Sequence, residues 1–138
     1  MQTFIDTYSS LNKNNLELLT NIYSGDVVFS DPAHEIHGLK NLRRYFESLY
    51  NDCDSVFFTF YHHQLVDNVG YIQWEMAFSH PKLGSGKTIK VPGVSRIHFN
   101  NQGLVDDHRD FFDLGAMLYE HLPLLGRIIT AVKRRLGT

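Results

Sequence analysis

Residues Leu104 to Asp113 read LVDDHRDFFD, with four Asp, one His and one Arg among ten positions. Taken with a period of two, as a strand, Leu104, Asp106, His108, Asp110 and Phe112 share one face. Val105, Asp107, Arg109, Phe111 and Asp113 share the other. Charges leave water only when they are paired or put to use. The stretch therefore lines a polar cavity, where its groups can hold or move a proton, or it is a solvated edge. His108 shares a face with Asp110, two residues away and roughly 7 Å along a strand. It is placed to orient a ligand or to titrate near neutral pH, or to serve as a hydrogen-bonded wall residue. Arg109 points the other way and is expected to pair with Asp107 or Asp113.

Two further stretches invite chemical readings. Asp31, His34, Glu35 and His37 crowd one loop, and with His108 and Asp110 they offer imidazole and carboxylate of the kind zinc, iron or manganese accept. There is no helical His-x-x-x-His and no complete triad at a recognisable spacing, and His62 and His63 diverge on a strand, so no metal site is assigned. The run KLGSGK, 82–87, has the look of a phosphate loop with the wrong glycine spacing, and reads as a turn between two strands.

The elements that must position these residues follow from periodicity. Phe4 to Tyr23 carries apolar residues at helical spacing, broken into two helices by Asn12-Lys13-Asn14-Asn15, with Asn14 or Asn15 as the second cap. Val27 to Ser30 is a short strand that Asp31-Pro32 stops, because proline cannot donate to a ladder. Ala33 to Gly38 is loop. Leu39 to Tyr50 is an amphipathic helix that buries Leu42, Tyr45, Phe46, Leu49 and Tyr50. Four consecutive antiparallel strands follow: Ser55–Val66, Tyr71–Ser79, Thr88–Phe99 with a bulge expected at Pro92-Gly93, and the acidic stretch itself. Leu114–Leu122 and Leu124–Leu136 are helical segments separated by Pro123. The order predicts an α+β fold, a curved sheet wrapped around helices.

Composition narrows the function classes. The 138 residues suffice for one domain with one core. A net charge of −2 gives no electrostatic case for nucleic acid. Cys53 is the one cysteine, which excludes a disulfide framework and a thiolate zinc site. No signal peptide and no run long enough to span a bilayer is visible, so a cytoplasmic location is expected.

The element order, the VVFSDP of 27–32 and the HRDFFD of 108–113 together resemble the nuclear transport factor 2-like superfamily, within it the SnoaL-like and limonene-epoxide-hydrolase branches. The resemblance covers the chain to about Leu118. It implies residues 1–118 as the family domain and 119–138 as an amphipathic helical extension of it. It also implies a cone, in which a strongly bent sheet is closed by helices around an apolar pocket, and a homodimer formed through the sheet.

Residue by residue, Asp110 matches the aspartate that activates water in the epoxide hydrolases. Glu75 matches their acid, with Gln73 where they carry the bridging arginine, and Phe29 and Asp31 stand where a Tyr and an Asn hold the water. In the ketosteroid isomerases of the same superfamily the Asp-Pro aspartate is the base, which is Asp31 here. Tyr8 falls within one residue of their oxyanion tyrosine, and Ser95 falls on their protonated Asp. Asp31, Glu75 and Asp110 are thus the candidate catalytic residues. Tyr8, Phe29, Tyr45, Gln73, Trp74, Ser95, His108 and Phe112 are the candidate substrate-binding residues. Carboxyls gathered in an apolar cone separate in proton affinity, so one serves as acid while another serves as base. This suits abstraction of a proton beside a carbonyl, or activation of water, without a cofactor. The bland readings are a loop cap for Asp31 and an ion pair for Asp110.

The expected function is binding of a small, mostly apolar molecule, with acid–base chemistry of hydrolase or isomerase type. The alternative is a non-catalytic ligand-binding or protein-interaction module of the same fold. The last helix carries an apolar face (Leu124, Leu125, Ile128, Ile129, Val132, Leu136) and the cations Arg127, Lys133, Arg134 and Arg135. Docking on the domain or across a dimer is the favoured reading; contact with an anionic membrane is the sharper one.

Overall fold

The computed structural model describes residues 1–122 and 125–137, so the expected break at Pro123 and the expected segment start at Leu124 lie outside the described residues. Helix α1 (Gln2–Ser10) buries Phe4, Ile5 and Tyr8. Beyond Ser10 the polar run closes on itself, with Asn15 Oδ1 accepting from the Asn12 amide at 2.7 Å. Asn15 thus stands at the start of the next helical turn (Leu16–Asn21), a tight 3₁₀ segment, without capping it through its side chain.

Tyr23, expected at the end of a helix, opens strand β1 (Tyr23–Ser30) instead. The reason is tertiary: β1 lies parallel to β6 (Val105–Phe112), with Tyr23 opposite Val105 and Phe29 opposite His108. The expected loop after Pro32 contains a short strand β2 (Glu35–His37), folded back antiparallel on β1. Helix α2 (Leu39–Asp52) buries Leu42 and Phe46 against the sheet while Arg43 and Glu47 pair at 3.4 Å on its wet side.

Strands β3 (Ser55–Val66), β4 (Val69–Ser79), β5 (Ile89–Phe99) and β6 form the antiparallel meander the alternation predicts. The six strands run in the order β2-β1-β6-β5-β4-β3, an open curved sheet over the helices. Asp67, at φ 55°, closes the two-residue turn between β3 and β4. The KLGSGK stretch is the connection of β4 to β5, with one 3₁₀ turn at Gly84–Gly86.

Two details of register shape the interior. No bulge occurs at Pro92-Gly93, where Glu75 pairs with Pro92 and Trp74 with Gly93 in unbroken register. Gly93 is required for a different reason, since a Cβ there would stand inside the Trp74 indole. The irregularity lies instead where β5 meets β6, between His98 opposite Asp107 and Phe99 opposite Val105. One extra residue in β6 breaks the period of two, so Val105 and His108 are both fully buried instead of facing opposite ways.

Past Asp113, whose carboxylate accepts from the Ala116 amide at 3.1 Å, come a short helix α3 (Leu114–Met117) and a 3₁₀ turn at Tyr119–His121. Helix α4 (Leu125–Gly137) follows. Gly126 is its one buried residue, while Leu125, Ile128, Val132 and Leu136 are exposed. The docking expected from the sequence involves the start of the helix, half-buried Ile129 beside Gly115, and Lys133, which reaches Asp113 and Glu120.

Candidate active site

Alternation along β4, β5 and β6 decides what faces the helices. On β4 these are Ile72, Trp74, Met76 and Phe78, and on β5 Val91, Gly93, Ser95 and Ile97. Cross-strand pairing then sets Ser95 opposite Asp110 and Ile97 opposite His108. On the far side of β6, Phe29 of β1 lies beside His108, with ring centroids 4.8 Å apart.

These neighbours form one buried chain of hydrogen bonds. The Tyr23 hydroxyl meets His108 Nδ1 at 2.6 Å. His108 Nε2 meets Asp110 Oδ1 at 2.6 Å. The Ser95 hydroxyl donates to the same Oδ1 at 2.5 Å, and Trp74 Nε1 donates to Ser95 Oγ at 2.8 Å. Burial raises Tyr23 well above the usual phenol range, and the nearby Asp110 charge adds to this. The Asp110 carboxylate can only accept, so His108 carries a hydrogen on Nε2, and in the neutral imidazole Nδ1 then accepts from the Tyr23 hydroxyl. The Nε2 hydrogen and the Ser95 hydroxyl both point at Oδ1 and fix the Asp110 rotamer. Among the described residues nothing donates to Oδ2. Tyr8, whose phenol is also raised, first by burial and then by Tyr23 and Asp110, stands against this chain from α1.

Asp110 belongs to the wall of a cavity of about 400 Å³. The wall is mostly apolar, as ligand sites are: Phe29, Phe58, Trp74, Met76, Phe78 and Phe112 contribute, with Tyr8 and Tyr45 among the polar groups. Asp31 and His34 line the same cavity. Asp31 Oδ1 accepts from the Ala33 and His34 amides at 2.8 and 2.7 Å, and the His34 ring approaches it at 3.0 Å. The Tyr45 hydroxyl donates to Oδ2 at 3.3 Å. Asp31 thus holds the loop after Pro32 with both oxygens engaged. Burial and the Asp31 charge push the Tyr45 phenol far up, and burial pushes Tyr50 up to about 12.

Glu75 is placed elsewhere. It alternates with Trp74 and Met76, so both it and Gln73 lie on the opposite face of β4, away from the cavity. The expected cluster of three carboxyls is therefore two, Asp31 and Asp110, and the period of two forbids Trp74 and Glu75 from facing inward together. Arg109 faces outward as expected, but its guanidinium lies 5.3 Å from the Phe111 ring centroid, while Asp107 approaches Arg96 at 3.8 Å and Asp113 approaches Lys133. Among the described residues no group of three or more His, Cys, Asp or Glu side chains is arranged to hold a metal.

Sequence reading missed Tyr23, Met76, Phe78, Leu83, Met117 and Leu118. Met76 and Phe78 were accessible to it, since they follow Trp74 at a period of two. Nothing local marks Tyr23, which enters the site only through the β1–β6 pairing.

A bent meander closed by helices around an apolar cavity, with a half-buried, hydrogen-bonded acid in its wall, makes an α+β cone. The model of the SnoaL-like domain matches residues 4–108, more than half of the chain, and the chain belongs to that family. Solved structures agree on the fold. An NTF2-like protein of unknown function from Burkholderia pseudomallei is 15% identical, over 86% of this chain and 93% of that one, with a TM-score of 0.75. A protein proposed as a SnoaL-like polyketide cyclase, from Shewanella putrefaciens, is 18% identical over 84% and 90%, with a TM-score of 0.70. A protein proposed as an isomerase of the SnoaL-like family, from Agrobacterium tumefaciens, is 16% identical over 81% and 92%, with a TM-score of 0.64. At such identities the likeness speaks for the fold alone. No curated protein sequence matches this one.

Proposed function

We propose that this protein binds a small, mostly apolar molecule in the cone and acts on it by cofactor-free acid–base chemistry, with Asp110 as the base. The observation that carries this reading is the one-sided engagement of Asp110: Oδ1 receives His108 and Ser95, Oδ2 receives nothing from the described residues, and the residue lies in the cavity wall. A carboxylate used only for structure has no need to leave an oxygen without a donor in an apolar wall. Asp31 is the weaker candidate, because loop amides and Tyr45 occupy it. Tyr8 and Tyr45 are suited to hold a substrate oxygen. The fold likeness to proteins proposed as an isomerase and as a polyketide cyclase supports the same class of chemistry.

Trp74 is the one tryptophan, it lines the cavity, and its fluorescence reports occupancy. Apolar ketones of increasing size are titrated against it, and exchange of their α-protons into deuterated water is followed by NMR. Quenching at Trp74, with exchange that falls by about 100-fold in Asp110→Asn while binding persists, is the expected result. Unchanged exchange in that variant rejects Asp110 as base, and no quenching by any compound rejects the pocket.

The same reading includes a homodimer through the sheet. The face of the sheet turned away from the helices exposes Phe57, Tyr61, Tyr71, Val94 and Phe111. Val94 and Phe111 are cross-strand neighbours, which makes an apolar patch of the kind that marks an interface. Light scattering of the wild type and of Phe57→Glu/Phe111→Glu tests it: a dimer that becomes a monomer is expected.

A further inference from the structure

Asp31 does more than close its loop. The Ala33 and His34 amides, which donate to Oδ1, are enough for a turn cap. The same carboxylate also holds the His34 ring, with Nδ1 3.0 Å from Oδ1 and 3.2 Å from Oδ2, and it receives the Tyr45 hydroxyl. The Asp31 side chain is 4% exposed and that of His34 47%. An ionised carboxylate only accepts, so Nδ1 carries the hydrogen of this contact and Nε2 is the nitrogen left for chemistry. Nε2 makes no hydrogen bond to any of the described residues.

Register brings this pair to Asp110. In the parallel pairing of β1 with β6, Phe29 lies opposite His108 and Ser30 opposite Arg109. Asp31 and Asp110 are the next residues of the two chains, so their backbones leave the pairing side by side, roughly 5 Å apart. Asp31, His34, Tyr45 and Asp110 all line the cavity of about 400 Å³. Tyr45 feels both carboxylates: burial pushes its phenol up, and the Asp31 and Asp110 charges add to this. Its ring centroid is 5.0 Å from that of His34. A cavity of this size is filled by one small molecule, which meets Asp110 and His34 together.

We propose that His34, held by Asp31, is a second catalytic residue, the acid that protonates a leaving hydroxyl; this rests on Asp110 as the base. The reaction is then loss of water from a small apolar β-hydroxy ketone. The α C–H bond breaks and its proton goes to Asp110. The electron pair of that bond forms the carbon–carbon double bond. The C–O bond breaks as the imidazolium gives its Nε2 proton to the departing oxygen. Water and an unsaturated ketone are released, Asp110 returns its proton to solvent, and His34 takes one up. A half-exposed acid exchanges its proton with water. Loss of water tolerates that exchange, whereas carrying one proton between two carbons does not. Asp31 is a positioning residue in this scheme. His80 is the other imidazole of the wall; its Nδ1 accepts from the Lys82 amide, and no carboxylate is hydrogen-bonded to it.

The probe is the aldol adduct of acetone and benzaldehyde, whose dehydration product absorbs in the near ultraviolet. Exchange of its α-protons into deuterated water is followed by NMR in the same samples. The wild type should do both, and Asp110→Asn should lose both. His34→Gln should lose dehydration by about 100-fold and keep exchange. Imidazole added to His34→Ala should restore dehydration, which a merely structural role would not allow. Asp31→Asn, whose oxygen still accepts from the loop amides, should lower kcat for dehydration by about 10-fold with KM and exchange unchanged. Dehydration that persists in His34→Gln overturns the assignment, as does dehydration that requires His80 in its place. Exchange without dehydration in the wild type overturns it and leaves Asp110 as base. Absence of exchange in the wild type removes the base, and the dehydration with it.

Discussion

The hydroxyl of Tyr23 meets Nδ1 of His108 at 2.6 Å across 85 positions of sequence. The contact exists because β1 lies parallel to β6, with Tyr23 opposite Val105 and His108 three residues further along β6, an arrangement that the meander alone would not produce. It gives Nδ1 its donor, while Nε2 holds Asp110. Removal of the hydroxyl in Tyr23→Phe leaves a fully buried ring nitrogen without a donor. A loss of stability of about 1–3 kcal/mol is expected in urea unfolding. Long-range nitrogen–proton NMR should show the Nε2–H tautomer in the wild type and in the variant, because Asp110 holds that hydrogen. A mixture in the variant would mean that Tyr23 sets the proton.

Gly93→Ala should act through Trp74. The new methyl group occupies the volume of the indole, and the ring must move away from the Ser95 hydroxyl it now reaches at 2.8 Å. Overpacking of this kind costs about 1–3 kcal/mol. The emission spectrum of the single tryptophan should shift with it. An unshifted spectrum with full stability would show that the sheet yields at no cost.

Glu75 and Asp110 separate face from cavity. Glu75→Gln changes a group on the outer face of β4, so stability should stay within about 0.5 kcal/mol and ketone binding at Trp74 should not change. A loss of α-proton exchange in Glu75→Gln comparable with that in Asp110→Asn would restore Glu75 to the site and contradict the observed register.

The tie between α4 and the body depends on pH at both ends. The Lys133 hydrogen bond and the Ala116 amide lower the Asp113 carboxyl below its ordinary range. Its contribution is therefore present above the unfolded carboxylate value, about 4, and is lost as pH falls through the depressed one. Asp113 and Glu120 raise Lys133. That contribution is complete below the ordinary lysine value, about 10.4, and is lost as pH rises through the raised one. Hydrogen-exchange protection along residues 125–137, measured relative to the intrinsic exchange rate at each pH, should thus be highest between these limits and fall on acidification, with Lys133→Met weakly protected throughout. A protection profile in the variant that matches the wild type would remove the ion pairs from the account.

Much of the scaffold was legible because periodicity is local. The alternation of Ile72, Trp74, Met76 and Phe78, the stripe of α2 and the stop at Asp31-Pro32 each depend on residues a few positions apart; β4, the start of α2 and the end of β1 formed where they were read, while β1 begins four residues earlier, at Tyr23. The bulge was legible only in part. A glycine in a strand signals a bulge or a close approach, and at Gly93 the close approach of Trp74 holds. The real irregularity, in the Asp106-Asp107 region, carries no such punctuation.

The sequence by itself determined which groups this protein has available: a strand with His108 and Asp110 two residues apart, aromatic strands to surround them, and a basic amphipathic helix at the end. These are matters of residue type and spacing along one element. Only the tertiary structure decided which of them meet. Strand pairing set Ser95 against Asp110 and Tyr23 against His108, turned Glu75 outward, engaged Asp31 with its own loop and left α4 uncovered. Such choices depend on register between distant strands, where a shift of one residue reverses every side chain, and no local pattern records that register.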